Sequence, residues 1–254
     1  MMKVFVDLGA KTDETDGVLC VAAALFKPHL YKKFIRSWNK IFRGWGSPAF
    51  HATDFYPGAK QFKRDTPERR LLFARDCQSI PRIIGQNVER VVLVSFRPNE
   101  YEELASPAWK KTFGTSLLSL GLQVCLLEIG WWADETCPRE SFAYFMEAGD
   151  KDEAAALSGV EGMRRDVKTN AVIRVSSFAS KLKGSERGLE AADFLAWHWN
   201  KYYMDKIRHG LAGDPRKDFA EMIRTSKSQV FVIFLTGDDL KFFFSRVPKE
   251  VLAE

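Results

Sequence analysis

Two stretches near the amino terminus constrain the fold more than anything else in this chain. Residues 3–7 and 18–26 are apolar at nearly every position, not at every second one. A strand that is apolar on both faces belongs in the interior of a sheet covered by helices on each side. The pair therefore predicts an α/β protein built on a central sheet flanked by helices. The polar segment 9–17 between them suits a hairpin connection, longer than a tight turn.

The rest of the chain alternates accordingly. Residues 29–42 have helical periodicity, with Leu30, Phe34, Trp38 and Ile41 on one face. Lys32, Arg36, Lys40 and Arg43 recur at the same spacing on another. Thr66 and Pro67 signal an N-cap and first turn, with Phe73, Cys77 and Ile80 turned inward. A strand is expected at 88–96, and the Leu-rich stretch 112–132 reads as a long, largely buried helix. A strand at 141–146 ends at Glu147, a mostly polar helix follows at 151–166, and another strand at 171–178. Ser185 is placed to cap a helix running to about 206. Residues 230–235 and 240–244 read as strands, with Gly237 and Asp238 as the hairpin turn between them. No repeat or Pro/Ser-rich linker divides the chain. The expectation is a single domain over 1–254 with a strand-rich C-terminal extension at about 228–246.

Composition narrows the function classes. A chain of 254 residues, 46% hydrophobic and holding twenty Phe and seven Trp, can bury a large core. Cys20, Cys77, Cys125 and Cys137 are far apart and form no Cys-x-x-Cys pair, which argues against a zinc knuckle, a redox motif or a disulfide framework. No leader segment is recognised, and the apolar run 18–26 is too short to span a bilayer. A cytoplasmic protein without a membrane partner is expected. The net charge of +5 is modest, but its distribution is uneven. Residues 17–53 hold no Asp or Glu, yet contain Lys27, Lys32, Lys33, Arg36, Lys40 and Arg43. Such a local patch attracts polyanions, and nucleic acid is the expected partner.

Four segments carry possible chemistry. Asp7 closes the first apolar strand, where ligand sites of open α/β sheets gather; alternatively it initiates a turn before Gly9. In Phe50-His51-Ala52-Thr53-Asp54-Phe55, His51 and Asp54 would face the same way on a helical turn, a spacing suited to a metal ligand with a proton shuttle. The alternative is a surface turn pinned by the two Phe. Glu147-Ala148-Gly149-Asp150 follows a strand directly, and Asp150 could equally cap the next helix. Asp193 lies in a helix otherwise made of small and apolar residues, beside a stripe of Leu189, Ala192, Ala196, Trp199 and Tyr203. A carboxylate there is costly unless it is paired or bound to a metal. Glu190 stands one turn earlier.

In this order the four segments resemble domain-of-unknown-function family 3800, bacterial and phage proteins with a predicted ribonuclease-H-like fold. The similarity spans about residues 2–205. Members open with a strand ending in Asp-Glu-Ser-Gly; here Asp7-Leu8-Gly9-Ala10 stands in its place, so Leu8 replaces the second acid. His51 and Asp54 match a His followed by an acid. Glu147, Gly149 and Asp150 match a strand ending in an acid with a Gly-Asp pair. Glu190-Ala191-Ala192-Asp193 matches Gln-x-Ala-Asp, with Glu190 where Gln is common.

The resemblance implies a ribonuclease-H-like mixed sheet, with Asp7, Glu147 and Asp193 at the places of its catalytic carboxylates and Mg²⁺ or Mn²⁺ as cofactor. Two-metal phosphoryl transfer needs several carboxylates around paired cations, and hard oxygen donors suit those ions. The expected function is a metal-dependent nuclease acting on RNA or DNA. Asp54 would complete the shell, His51 would move a proton, Glu190 and Asp150 would be possible further acids, and Lys32, Arg36, Lys40 and Arg43 would hold the phosphate backbone. The alternative is a catalytically degenerate nucleic-acid-binding or accessory module of a defence or mobile-element system.

Overall fold

A computed structural model describes residues 1–9, 17–42, 50–55, 66–113, 116–182, 184–209, 217–226 and 229–246. In chain order its elements are β1 (Met2–Gly9), β2 (Leu19–Phe26), α1 (Pro28–Phe42), a 3-10 turn (Ala52–Phe55), α2 (Pro67–Cys77), α3 (Ile80–Asn87), β3 (Arg90–Phe96), α4 (Pro98–Leu104), α5 (Pro107–Phe113) and α6 (Leu117–Thr136). These are followed by β4 (Phe142–Glu147), α7 (Glu153–Arg165), α8 (Val167–Ile173), β5 (Val175–Lys181), α9 (Arg187–His209), α10 (Lys217–Thr225), β6 (Gln229–Leu235) and α11 (Gly237–Arg246).

The strands form one six-stranded mixed sheet in the order β5-β4-β1-β2-β3-β6. β1, β2 and β3 are antiparallel neighbours, β4 and β5 run parallel to β1, and β6 runs parallel to β3. Every residue of β2 and β3 is buried, as expected of runs with no polar alternation. One face of the sheet packs under α6, joined by α7 and α8. The other carries α1 and α9, with α3 and α10 beside them. The α/β class with a central sheet between helices is as the apolar strands predict, and the sheet is mixed.

Small residues set how closely the two layers approach. A Cβ added to Gly121 of α6 would lie 2.4 Å from Val21 of β2, and one added to Gly188 of α9 would lie 2.2 Å from the Phe5 ring of β1. Phe5 cannot yield, because its ring is fully buried and stacked at 5.1 Å on both Tyr31 and Phe145. Gly188→Ala is therefore expected to destabilise the protein by about 1–3 kcal/mol, the usual cost of overpacking a filled core. Urea denaturation of the variant against the parent measures it.

The helix α6 is long and apolar enough to cross a membrane by length and composition. Here it is a core helix: Leu120, Leu122, Cys125, Leu126, Ile129 and Ala133 are buried.

Some expected boundaries are corrected. Residues 112–132 are not one helix, because α5 ends at Phe113 and α6 starts at Leu117, where the Ser116 side chain accepts from the Ser119 amide. The strand expected from 171 begins at Val175, since α8 runs through Ile173 and ends at Arg174 in the left-handed region, φ 48°. Ser185 does not cap α9; its hydroxyl donates backwards to the Leu182 carbonyl. The hairpin expected at 230–244 is absent among the described residues. β6 is instead an edge strand of the main sheet, and 237–246 is the helix α11, its Leu240 packed inward and Thr236 Oγ1 bonded to Asp239 at 3.1 Å. The aromatic run 242–244 resembles a strand by composition alone, and Gly237 begins a helix where a turn was expected. By contrast, Thr66 Oγ1 accepts from the Arg69 amide at 3.3 Å, so the start of α2 follows its capping signal.

Candidate acid corner at the ends of β1 and β4

Strand alternation decides where the acids of β1 and β4 point. Val4 and Val6 enter the core under α6, while Phe5 enters the core under α9. Asp7, two residues after Phe5, shares the α9 face. On β4, Tyr144 and Met146 face α6, so Phe145 and Glu147 face α9. The two strands are parallel neighbours, and Val6 is in register with Met146. Asp7 and Glu147 are the next residues on the two strands, one beyond the last pair of that ladder. The chain leaves β1 for β2 on one side and leaves β4 for β5 on the other. Carboxyl ends of strands at such a divergence are where open α/β sheets place ligands.

Leu8 takes the opposite side. Its side chain packs against the α6 core, while its amide donates to Asp7 Oδ1 at 2.8 Å. Leu8 is therefore directed away from the face that Asp7 shares with Glu147.

The third acid comes from above. Buried Leu189, Ala192 and Ala196 seat α9 on the sheet, and Asp193 beside them is only 9% exposed. Its Oδ2 accepts from the Ala52 amide at 2.9 Å and lies 3.8 Å from His51 Nδ1. Phe50, fully packed against Trp38 and Phe42, anchors the segment just before. So the sequence-distant His51 turn is held onto α9 through the Asp193 carboxylate. The backbone of Asp54 lies in that 3-10 turn, and its side chain lies outside the described residues.

The charges of this corner are coupled. The Glu147 carboxyl is pushed up to about 7, first by burial and then by the negative charges of Asp193 and Asp150. Asp150 also shapes the turn into α7: its Oδ1 accepts from the Asp152 amide at 2.8 Å, while Gly149, at φ 93°, donates its amide to Glu153 at 2.7 Å. The donors facing the corner are carboxylate oxygens, the set that suits Mg²⁺ or Mn²⁺. Among the described residues no group of three or more His, Cys, Asp and Glu side chains stands together as a metal-holding cluster. The acids are gathered at one corner but not closed into a cage.

This coupling has a pH signature. The folded protein keeps the Glu147 proton up to about pH 7, whereas the unfolded chain gives it up near 4.5. Between those values the native state binds more protons, so this group's contribution to stability falls as pH rises and is lowest above about 7. Glu147→Gln removes the penalty. It is expected to raise Tm above pH 7 by about 2–4 °C for each kcal/mol relieved, and to change it little at pH 4–5. An equal change at both pH values would show that Glu147 does not titrate in the corner.

Glu190 is not part of the corner. It is 1% exposed, paired with Arg187 three residues earlier, and accepts the Trp38 indole N–H. Burial pushes its carboxyl upward, and Arg187 works against that shift. Of the two acids on this turn of α9, Glu190 clamps α1 to α9 and Asp193 faces the strand ends. The Arg187–Glu190 spacing was a visible signal for the ion pair; the distant Trp38 was not.

On α1, Tyr31, Phe34, Trp38 and Phe42 are buried, and Lys32, Arg36 and Lys40 are exposed. These three cations pair with no carboxylate among the described residues. Arg43 lies outside the described residues. A cavity of about 540 Å³ opens between α1 and the α3–β3 connection, lined by Lys33, Arg36, Ser37 and Asn87 among others. It lies at the amino-terminal end of β1, away from the acids. The sequence matches no protein-family model and no curated protein.

Proposed function

We propose that the corner formed by Asp7, Glu147, Asp193 and His51 is the site of a divalent-metal-dependent nuclease with a ribonuclease-H-like arrangement. The observation that carries this reading is the place of Glu147, at the end of β4 next to the end of β1 that bears Asp7, where burial first and then the negative charges of Asp193 and Asp150 push its carboxyl up to about 7. A hard cation relieves that repulsion, which is how clustered carboxylates become binding energy for an ion. The ligands would be Asp7, Glu147 and Asp193, with Asp54 on the neighbouring turn. When bound, Mg²⁺ or Mn²⁺ polarises the phosphodiester and activates water. His51, oriented toward the Asp193 carboxylate, would transfer a proton at the attacking or leaving oxygen. An acid on the first strand, one at a later strand end and one on a late helix are the places that the family resemblance implies. A cleavage panel of labelled RNA, DNA and hybrid, with Mn²⁺ and with chelator, tests the reading. Metal-dependent cleavage of at least one substrate is the expected result.

One observation favours a second reading, a non-catalytic nucleic-acid-binding module: the described side chains do not already form a metal-holding cluster. Calorimetry separates the two, since the module binds nucleic acid without binding Mn²⁺ at the acids.

Either reading uses the exposed cations of α1. Lys32 to Lys40 spans about 12 Å along the helix. If these residues contact phosphates, the logarithm of affinity falls with the logarithm of salt with a slope of ~0.7–0.9 per phosphate neutralised. Arg36→Gln with Lys40→Gln is expected to flatten that slope by up to about two contacts. An unchanged slope would make the stripe an ordinary solvated face.

A further inference from the structure

We propose that the cavity between α1 and the α3–β3 connection binds a sugar phosphate monoester, with Lys33, Arg36 and Ser37 on the phosphate and Gln86 and Asn87 on the sugar hydroxyls. The cavity lies away from the acid corner, so the inference goes beyond the nuclease reading and does not depend on it. Its basis is the size of the cavity and the division of chemistry between its walls. At about 540 Å³ it falls within the range of about 300–1,000 Å³ typical of small-molecule sites.

One wall is α1. Lys33, Arg36 and Ser37 stand at i, i+3 and i+4, which sets them together on one helix face. Among the described residues neither cation has a carboxylate partner, and the Ser37 side chain donates to no other group. A guanidinium fork, a point-charge ammonium and a hydroxyl are a set that suits phosphate oxygens. The other wall is made of neutral acceptors. Asn87 is 7% exposed and donates its Nδ2 to the Ile83 carbonyl at 2.7 Å, so its amide oxygen is what it offers a ligand. The exposed amide of Gln86 adds a second acceptor beside it. An ionised phosphate has no proton to give such oxygens, whereas sugar hydroxyls do. Glu89, the acid of the lining, is held by Lys27 at 2.5 Å, which offsets its charge. The field inside is therefore set by Lys33 and Arg36. Both walls are fixed by packing. Phe34 and Trp38 of α1 share a buried cluster with Ile80 and Ile84 of α3, and a Cβ added to Gly85 would lie 2.6 Å from the Met222 carbonyl oxygen. A preformed site of this kind loses little freedom on binding.

The experiment is calorimetric titration in the presence of chelator, so that no metal at the acid corner takes part. The probes are ribose 5-phosphate, ribose, inorganic phosphate, and one oligonucleotide with a 5′-phosphate or a 5′-hydroxyl end. Ribose 5-phosphate is expected to bind at least about tenfold more tightly than either ribose or inorganic phosphate, the worth of a few hydrogen bonds. Lys33→Gln should weaken it by about 10–100-fold and Ser37→Ala by about 2–10-fold. Lys33→Arg should keep most of the affinity. Lys168→Gln, the same loss of charge on α8, should leave it unchanged. Lys33 is exposed, so the melting temperature of Lys33→Gln should match the parent and separate lost binding from lost fold. A Lys33-dependent preference for the 5′-phosphate strand identifies a strand end as the source of the monoester; no preference identifies the free sugar phosphate. Binding of neither ribose 5-phosphate nor the phosphorylated strand overturns the proposal, as does binding that Lys33→Gln leaves unchanged. Equal affinity for inorganic phosphate and ribose 5-phosphate overturns the role of Gln86 and Asn87.

Discussion

Asp193→Asn is expected to remove metal-dependent cleavage while leaving the protein folded, and Asp7→Asn to do the same. The loss should exceed the roughly 10–100-fold cost of removing a residue that only supports a metal ligand. The side-chain geometry makes the substitutions clean. Asp193 Oδ2 accepts the Ala52 amide at 2.9 Å, and an asparagine carbonyl can accept the same bond. Asp7 Oδ1 accepts the Leu8 amide at 2.8 Å, again within reach of an amide oxygen. Shape and local hydrogen bonds are kept, and one negative charge is lost. Asp193→Asn has a second expected effect. Asp193 is the largest electrostatic contributor holding the Glu147 carboxyl up to about 7, after burial. Its removal should lower the Glu147 titration and raise metal-free Tm above pH 7. Full cleavage by both variants, measured in Mn²⁺ against labelled strands, would remove the acids from catalysis and leave the binding-module reading.

His51→Ala carries the other large expected effect, a fall in turnover of about 10²-fold or more if His51 moves a proton, with substrate and Mn²⁺ affinity nearly intact. The position supports a shuttle more than a ligand. His51 Nδ1 faces Asp193 Oδ2 at 3.8 Å, with the imidazole side chain 39% exposed and the carboxylate 12% exposed. The ring is therefore oriented by an acid at its inner side and open to solvent at its outer side, as a proton carrier needs. Carboxylates also suit hard cations better than imidazole does. If His51 were a ligand, Mn²⁺ affinity would fall first and added Mn²⁺ would recover part of the rate. Should His51 only pack, Tm would fall while the folded fraction turned over normally. Kinetics, calorimetry and a melting curve on one variant distinguish the three.

What the sequence determined by itself is the layer architecture, because it depends on local pattern. The unbroken apolar runs of β2 and β3 predict interior strands, and the spacing of Leu30, Phe34, Trp38 and Ile41 predicts one face of a helix, of which the structure buries Phe34 and Trp38 together with Tyr31 and Phe42, leaving Leu30 and Ile41 half-buried. The exposed row of Lys32, Arg36 and Lys40 follows from the same periodicity. The C-terminal segment failed for the complementary reason. Aromatic residues suit both a strand and a buried helix face, and only docking chose α11 for residues 237–246. Tertiary structure also decided which acids meet. Asp7, Glu147 and Asp193 are separated by more than a hundred residues in sequence from first to last, and their juxtaposition rests on the β1–β4 register and on Gly188 letting α9 reach Phe5. Glu190 and Asp193 look equivalent in sequence, three residues apart on one helix. Packing separates them, because Trp38 and Arg187 surround the first while the second reaches the Ala52 amide. Local pattern specifies which face of an element is buried, whereas the meeting of charges is set by register between strands, which no single segment encodes.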